Sequence, residues 1–103
     1  MNIPVRYWTY VNAATGGTTI TLPKNWSECY IMAQYGNSSG YQLQVLPTVI
    51  VRDDNIIGKS LTFGGGTIFA QVYFDTINSC KLLYFGVSGT DFTSTSRILV
   101  YTK

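Results

Sequence analysis

The residue types that carry most enzymatic chemistry are sparse in this chain. Histidine, the side chain that exchanges a proton near neutral pH without help from its surroundings, is absent from all 103 residues. The acids are Glu28, Asp53, Asp54, Asp75 and Asp91. Asp53 and Asp54 are adjacent, so an extended backbone points them to different sides, a poor arrangement for a glycosidase pair held at fixed separation. They read as a solvated turn. Asp75 and Asp91 could meet across strands around a calcium ion, but no dense series of oxygen ligands accompanies them. Ser and Thr are plentiful, yet none has a histidine or a suitably placed lysine to activate it, and no Gly-x-Ser-x-Gly elbow occurs. Gly64-Gly65-Gly66 lacks the lysine of a phosphate loop and precedes no helical pattern, so it reads as a turn. Cys29 and Cys80 fall in apolar segments, as buried thiols or, if their strands are neighbours, as a disulfide. Two cysteines without histidine do not make a zinc site. The chain is therefore expected to have no catalytic, cofactor-binding or metal-binding residues and not to be an enzyme.

Aromatic residues are the informative class, at 15% of the chain with eight Tyr, five Phe and two Trp. Many must fill the core of so small a domain. Tyr35 and Tyr41 flank the polar run Asn37, Ser38 and Ser39, and Tyr combines contact area with a hydroxyl that suits sugars and protein surfaces. This group is a candidate receptor-binding tip, unless Tyr35 and Tyr41 simply pair across the hairpin neck as ordinary cross-strand neighbours.

The bulk composition bounds the rest. Residues 1–103 suffice for one domain, and 46% hydrophobic against 12% charged residues is the balance of a chain that folds. So little charge leaves a surface of Ser, Thr, Asn, Gln and Tyr, which suits packing against copies of itself. The net charge of +2 comes from singly scattered Lys and Arg, which argues against nucleic-acid binding by phosphate neutralisation. No apolar run nears the roughly 20 residues of a membrane span, and Met1-Asn2-Ile3-Pro4 lacks a basic segment followed by an apolar core, so neither a membrane anchor nor a signal peptide is expected.

The elements that must position these residues are strands. Short runs of Val, Ile, Thr, Tyr and Phe alternate with Gly, Asn, Ser and Asp clusters, which predicts seven or eight strands and no helix. They are placed at Val5–Val11, Thr18–Leu22, Glu28–Tyr35, Tyr41–Val51 (with Pro47 marking an edge or a break), Ser60–Phe63, Thr67–Asp75, Cys80–Val87 and Ser96–Tyr101. Turns are expected at Asn12–Gly17 and at the hairpin Gly36–Gly40. The consecutive Leu82-Leu83-Tyr84-Phe85 predicts a strand apolar on both faces, hence a central strand or a subunit contact. An antiparallel β-sandwich is the expected fold, with a small closed barrel as the alternative.

From Leu22-Pro23-Lys24-Asn25-Trp26-Ser27-Glu28 into Cys29-Tyr30-Ile31-Met32-Ala33, the chain resembles the C-terminal domain of bacteriophage tail fibres. The likeness continues through Gly36–Tyr41, Val45-Leu46-Pro47, Phe63-Gly64-Gly65 and the closing Val100-Tyr101-Thr102-Lys103, covering about residues 18–103. The resemblance implies a homotrimeric receptor-binding head, without cofactor, at the fibre tip of a virion after assembly in the host cytoplasm. Its partners would be its own copies and a host-cell surface glycan or protein, with no nucleic acid and no membrane insertion. Residues 1–17 would hold the shaft-to-head transition and first strand, and Trp8, Tyr73 and Phe85 are candidate subunit contacts. An adenovirus-type fibre head and a monomeric carbohydrate-binding module of a bacterial enzyme are the alternatives.

Overall fold

The computed structural model describes residues 7–37, 40–42 and 47–103, the side chains of Asn37, Tyr41 and Gln42 excepted. Ten strands occur among them: β1 (Thr9–Thr15), β2 (Ile20–Thr21), β3 (Glu28–Asn37), β4 (Gly40–Gln42), β5 (Thr48–Val51), β6 (Ser60–Gly65), β7 (Ile68–Thr76), β8 (Ser79–Val87), β9 (Thr90–Asp91) and β10 (Ser96–Thr102). One sheet runs β1-β10-β3-β4, with β5 also paired to β3, and the other runs β2-β8-β7-β6, with β9 paired to β8. Every pairing between strands is antiparallel. The two sheets share one core, as a sandwich does: Cys29, Ile31, Ala33, Ile98 and Val100 from the first meet Val72, Phe74, Cys80, Leu82 and Phe85 from the second. Each large side chain buried there contributes about 1.5–3 kcal/mol.

Alternation fixes most of this directly. In β10, Ser96, Ile98, Val100 and Thr102 are all buried and the residues between them are not. In β3, Cys29, Ile31 and Ala33 turn inward as the sequence predicts. The first strand differs from expectation. It runs on through Asn12-Ala13-Ala14-Thr15, paired with β10, and the turn shrinks to Gly16-Gly17. Gly17 has φ +85°, and a Cβ on Gly16 would collide with the Thr93 carbonyl. Pro47 marks both an edge and a break, since β4 and β5 lie in turn along the same side of β3.

β8 also departs from expectation. Gln71 pairs with Tyr84 but the next residue, Val72, pairs with Leu82, so Leu83 is an extra residue in a β-bulge. The bulge reverses the parity: Leu82 and Phe85 both enter the core, while Leu83 is exposed. The apolar run is therefore a central strand with one inner face. Phe85, proposed above as a subunit contact, is fully buried within its own chain and cannot serve as one.

Aromatic residues close the sandwich at two ends. Trp26 stacks on Phe74 at 6.0 Å and donates from Nε1 to the Ile77 carbonyl at 2.7 Å. The Arg52 guanidinium lies 5.6 Å from the Trp26 ring and donates to the Lys24 and Trp26 carbonyls at 2.6 and 3.0 Å. At the other end Tyr35 stacks on Phe85 at 6.4 Å and meets Phe92 edge-on at 4.7 Å.

Two stability predictions follow from this packing. Phe85→Ala is expected to cost about 3–5 kcal/mol in urea unfolding, and a cost below about 1 kcal/mol would place Phe85 outside the core. The buried Ser96 hydroxyl has no hydrogen-bond partner among the described residues. Ser96→Ala is expected to leave stability unchanged or raise it by up to about 2 kcal/mol, whereas a clear loss would reveal a partner.

Candidate functional site

Each acid holds a local structural position. Asp53 Oδ1 accepts from the Asn55 amide at 2.9 Å, and Asp54 sits in the first turn of the short 3-10 segment that follows. Glu28 pairs with Lys103 at 3.6 Å and Asp75 with Lys81 at 3.8 Å. Asp91 accepts from the Thr93 amide at 2.8 Å and from the Thr93 hydroxyl, which hold its carboxyl below the usual carboxylate range. Asp75 and Asp91 thus have different partners, Lys81 and Thr93. No group of three or more metal-ligating side chains occurs among the described residues.

The hairpin expected at the tip has its neck where the sequence puts it, with Asn37 opposite Gly40. Ser38 and Ser39 lie outside the described residues, as do the side chains of Asn37 and Tyr41. The Tyr35–Tyr41 pair is not formed: Tyr35 faces Gln42, and Tyr41 faces Gly36. Tyr35 instead packs its ring on Phe85 and Phe92, which makes it a core-closing residue that stays partly exposed.

The other aromatics gather on the outer face of the β1-β10-β3 sheet. Tyr10, Tyr101, Tyr30 and Val49 form one unbroken row across four strands. The rings touch in sequence, Tyr10 to Tyr101 at 5.4 Å and Tyr101 to Tyr30 at 6.1 Å, and Trp8 covers Tyr30 at 5.7 Å. A second apolar row, Ala13, Leu99 and Met32, lies beside it. Polar groups border the band on both sides: Arg97 donates to Gln34 at 2.9 Å on one, and Lys103 reaches over Trp8 at 4.9 Å on the other. Tyr10 is 52% exposed, Val49 46% and Val51 66%, so the band is open along two of its edges. An apolar centre with a polar rim is the anatomy of a protein interface. Sequence reasoning named Trp8 but missed the row, because Tyr10, Tyr101, Tyr30 and Val49 come from four strands whose register alternation alone does not supply.

Tyr73, the third proposed contact, lies on the other sheet, half-buried, with the Lys81 ammonium 5.6 Å from its ring. Near it, the edge of β8 between β2 and β9 opens into a cleft of about 350 Å³ lined by Gly16, Gly17, Lys81, Leu83, Asp91 and Thr93 among others. The Gly17 amide donates to the Leu82 carbonyl at 2.9 Å and the Phe85 amide to Thr93 Oγ1 at 3.0 Å, so the β8 backbone there is satisfied by loops rather than by a strand.

Cys29 and Cys80 are free thiols buried in the core. Burial, reinforced by Asp75, pushes the Cys80 thiol up to about 12, and burial with Cys80 nearby pushes Cys29 higher still. No family model matches the chain, and neither do curated proteins or solved structures.

The thiols carry a pH prediction. In the unfolded chain they ionise near 9, while the folded chain keeps them neutral to about 12. Their contribution to stability is complete below pH 9 and is lost as pH rises towards 12. Unfolding free energy is expected to fall more steeply above pH 9 in the wild type than in Cys80→Ala, and parallel pH profiles would contradict this.

Proposed function

We propose that this chain is a non-enzymatic attachment domain, a fibre head of the bacteriophage type that assembles as a homotrimer and binds a host-cell surface receptor. The observation that carries the reading is the apolar band of Trp8, Tyr10, Tyr30, Tyr101 and Val49 on an outer sheet face. A sandwich already has a core between its sheets, so a second apolar surface on the outside needs another occupant. Closed rings use two different patches of each subunit, one against the next, and only one side of that contact is assigned to the band. Trp8 remains a contact candidate on this reading, and Tyr73, on the opposite sheet, a candidate for the complementary patch. Tyr35, Asn37, Ser38, Ser39 and Tyr41 remain receptor-binding candidates at the hairpin tip. The low charge and the resemblance from Leu22 to Lys103 point the same way, and on this reading the domain belongs at the tip of a virion fibre.

Sedimentation velocity at micromolar concentration tests the assembly. A trimer is expected for the wild type, and a monomer for the pair Tyr10→Asp and Val49→Asp, whose side chains are exposed and whose loss should spare the core. A monomeric wild type would overturn the fibre-head reading in favour of a monomeric carbohydrate-binding module. Attachment of labelled trimer to host cells tests the receptor role, with Tyr41→Ala expected to weaken it. Unchanged attachment would remove the hairpin from the site.

A further inference from the structure

The outer face of the β2-β8-β7-β6 sheet is built differently from the apolar band. Phe69 has glycine on both sides, Gly64 in β6 and Gly86 in β8, so neither residue paired with it carries a side chain. Tyr84, two residues before Gly86, lies along the strand over that glycine. A Cβ on Gly86 would come within 2.7 Å of Tyr84 Cε2 and 2.8 Å of its hydroxyl oxygen. The Phe69 and Tyr84 rings pack against each other at a tilt, 5.2 Å between centroids and 34° between planes. Both side chains are half-buried on this outer face, and the part of an aromatic face left open to solvent matches the C–H side of a sugar ring.

Polar groups border this shelf. Gln71 lies opposite Tyr84 and reaches Thr62 at 3.3 Å. Asp91 lies opposite Gly86 and also lines the cleft beside Leu83, so shelf and cleft meet at its carboxylate. Charge decides the class of ligand. The bordering anion is Asp91, and the nearby cation, Lys81, is held by Asp75 and the Tyr73 ring. A phosphate or an acidic sugar on the rings would face repulsion from Asp91, and Lys81, which also lines the cleft, is shared with Asp75, whereas neutral hydroxyls can donate to the Asp91 carboxylate.

We infer that this face is a binding site for a neutral saccharide, one pyranose stacking on Phe69 and Tyr84, its hydroxyls donating to Asp91, and the adjoining sugar occupying the cleft beside Leu83. A cleft of about 350 Å³ lies within the range of small-ligand sites. The inference deepens the receptor-binding reading by naming the receptor's chemistry, and it does not require the trimer.

Saturation-transfer NMR with cellopentaose, maltopentaose, chitopentaose and a galacto-oligosaccharide, alongside polyuronate and sialylated oligosaccharides, provides the test. Transfer to ring C–H protons of at least one neutral oligosaccharide is expected. Gly86→Ala keeps both aromatic residues but tips the Tyr84 ring off the glycine, and Asp91→Asn removes the acceptor charge. Each is expected to weaken binding by about tenfold or more. Lys59→Ala, an exposed position on neither face, is expected to bind as the wild type does. Thermal midpoints within a few degrees of the wild type establish that the variants fold, and a midpoint collapse in Gly86→Ala leaves Asp91→Asn as the deciding variant. Binding of none of the neutral oligosaccharides, binding of the acidic ones only, or neutral binding that survives the folded variants would overturn the inference. A monomer that binds sugar through the shelf discards the fibre head and keeps the site, and a trimer that binds none of the neutral panel does the reverse.

Discussion

Strand β8 lies between β2 and β9 on one side and β7 on the other, and it must deliver Cys80, Leu82 and Phe85 to the same core. Strict alternation cannot do this, because Phe85 has the opposite parity to the other two. The extra residue at Leu83 resolves the conflict. Without it, Phe85 would project into solvent and leave Tyr35 and Phe92 nothing to pack on at that end of the sandwich. A buried phenyl ring stabilises by several kcal/mol, a large share of what a domain of this size possesses. The bulge is therefore a requirement of the fold.

The same residue shapes the outer surface. Beyond the bulge, Tyr84 and Gly86 have the outward parity, which lays the tyrosine ring over the glycine and beside Phe69. Bulges also twist a strand and interrupt its ladder. Here the β8 edge passes from β2 to β9 with Leu82 and Phe85 bonded to loop groups, Gly17 and Thr93, and the cleft lies in that gap. Asp91 steadies the loop by accepting twice from Thr93, whose hydroxyl in turn accepts from Phe85. The core requirement at Phe85 and the shape of the cleft are thus linked through one threonine.

Much of the fold is legible in the sequence because period-two burial is a local property. The inward sets Cys29-Ile31-Ala33 and Ala70-Val72-Phe74 can be read from alternation and are buried. The hairpin neck at Asn37 and Gly40 and the break at Pro47 are legible for the same reason, since Gly and Pro constrain the backbone where they stand. The bulge is not legible: Leu82-Leu83-Tyr84-Phe85 reads equally as a doubly apolar strand, and only the partner strand shows which residue is extra. The sequence ends the first strand at Val11 because Asn12-Ala13-Ala14 has weak strand propensity, which pairing with β10 overrides. The surface features lie deeper still. The Tyr10-Tyr101-Tyr30-Val49 row depends on the register of four strands, and the shelf depends on two glycines meeting one phenylalanine across three.

The two outer faces divide the surface aromatics by purpose. On the first sheet, rings touch one another across neighbouring strands, with Tyr30 covered by Trp8, and the result is a continuous apolar area bordered by Arg97 and Lys103. Such an area gains most when a broad, dry partner surface covers it, because the hydrophobic contribution scales with apolar area removed from water. On the second sheet, Phe69 and Tyr84 pack on each other between glycines, and a carboxylate and an amide stand beside them. That arrangement offers little area to a protein but a flat ring face with hydrogen-bonding groups at its margin, which suits a small polyhydroxylated ligand. On the readings proposed above, the domain would present, back to back across one core, one face to its own copies and one to a sugar.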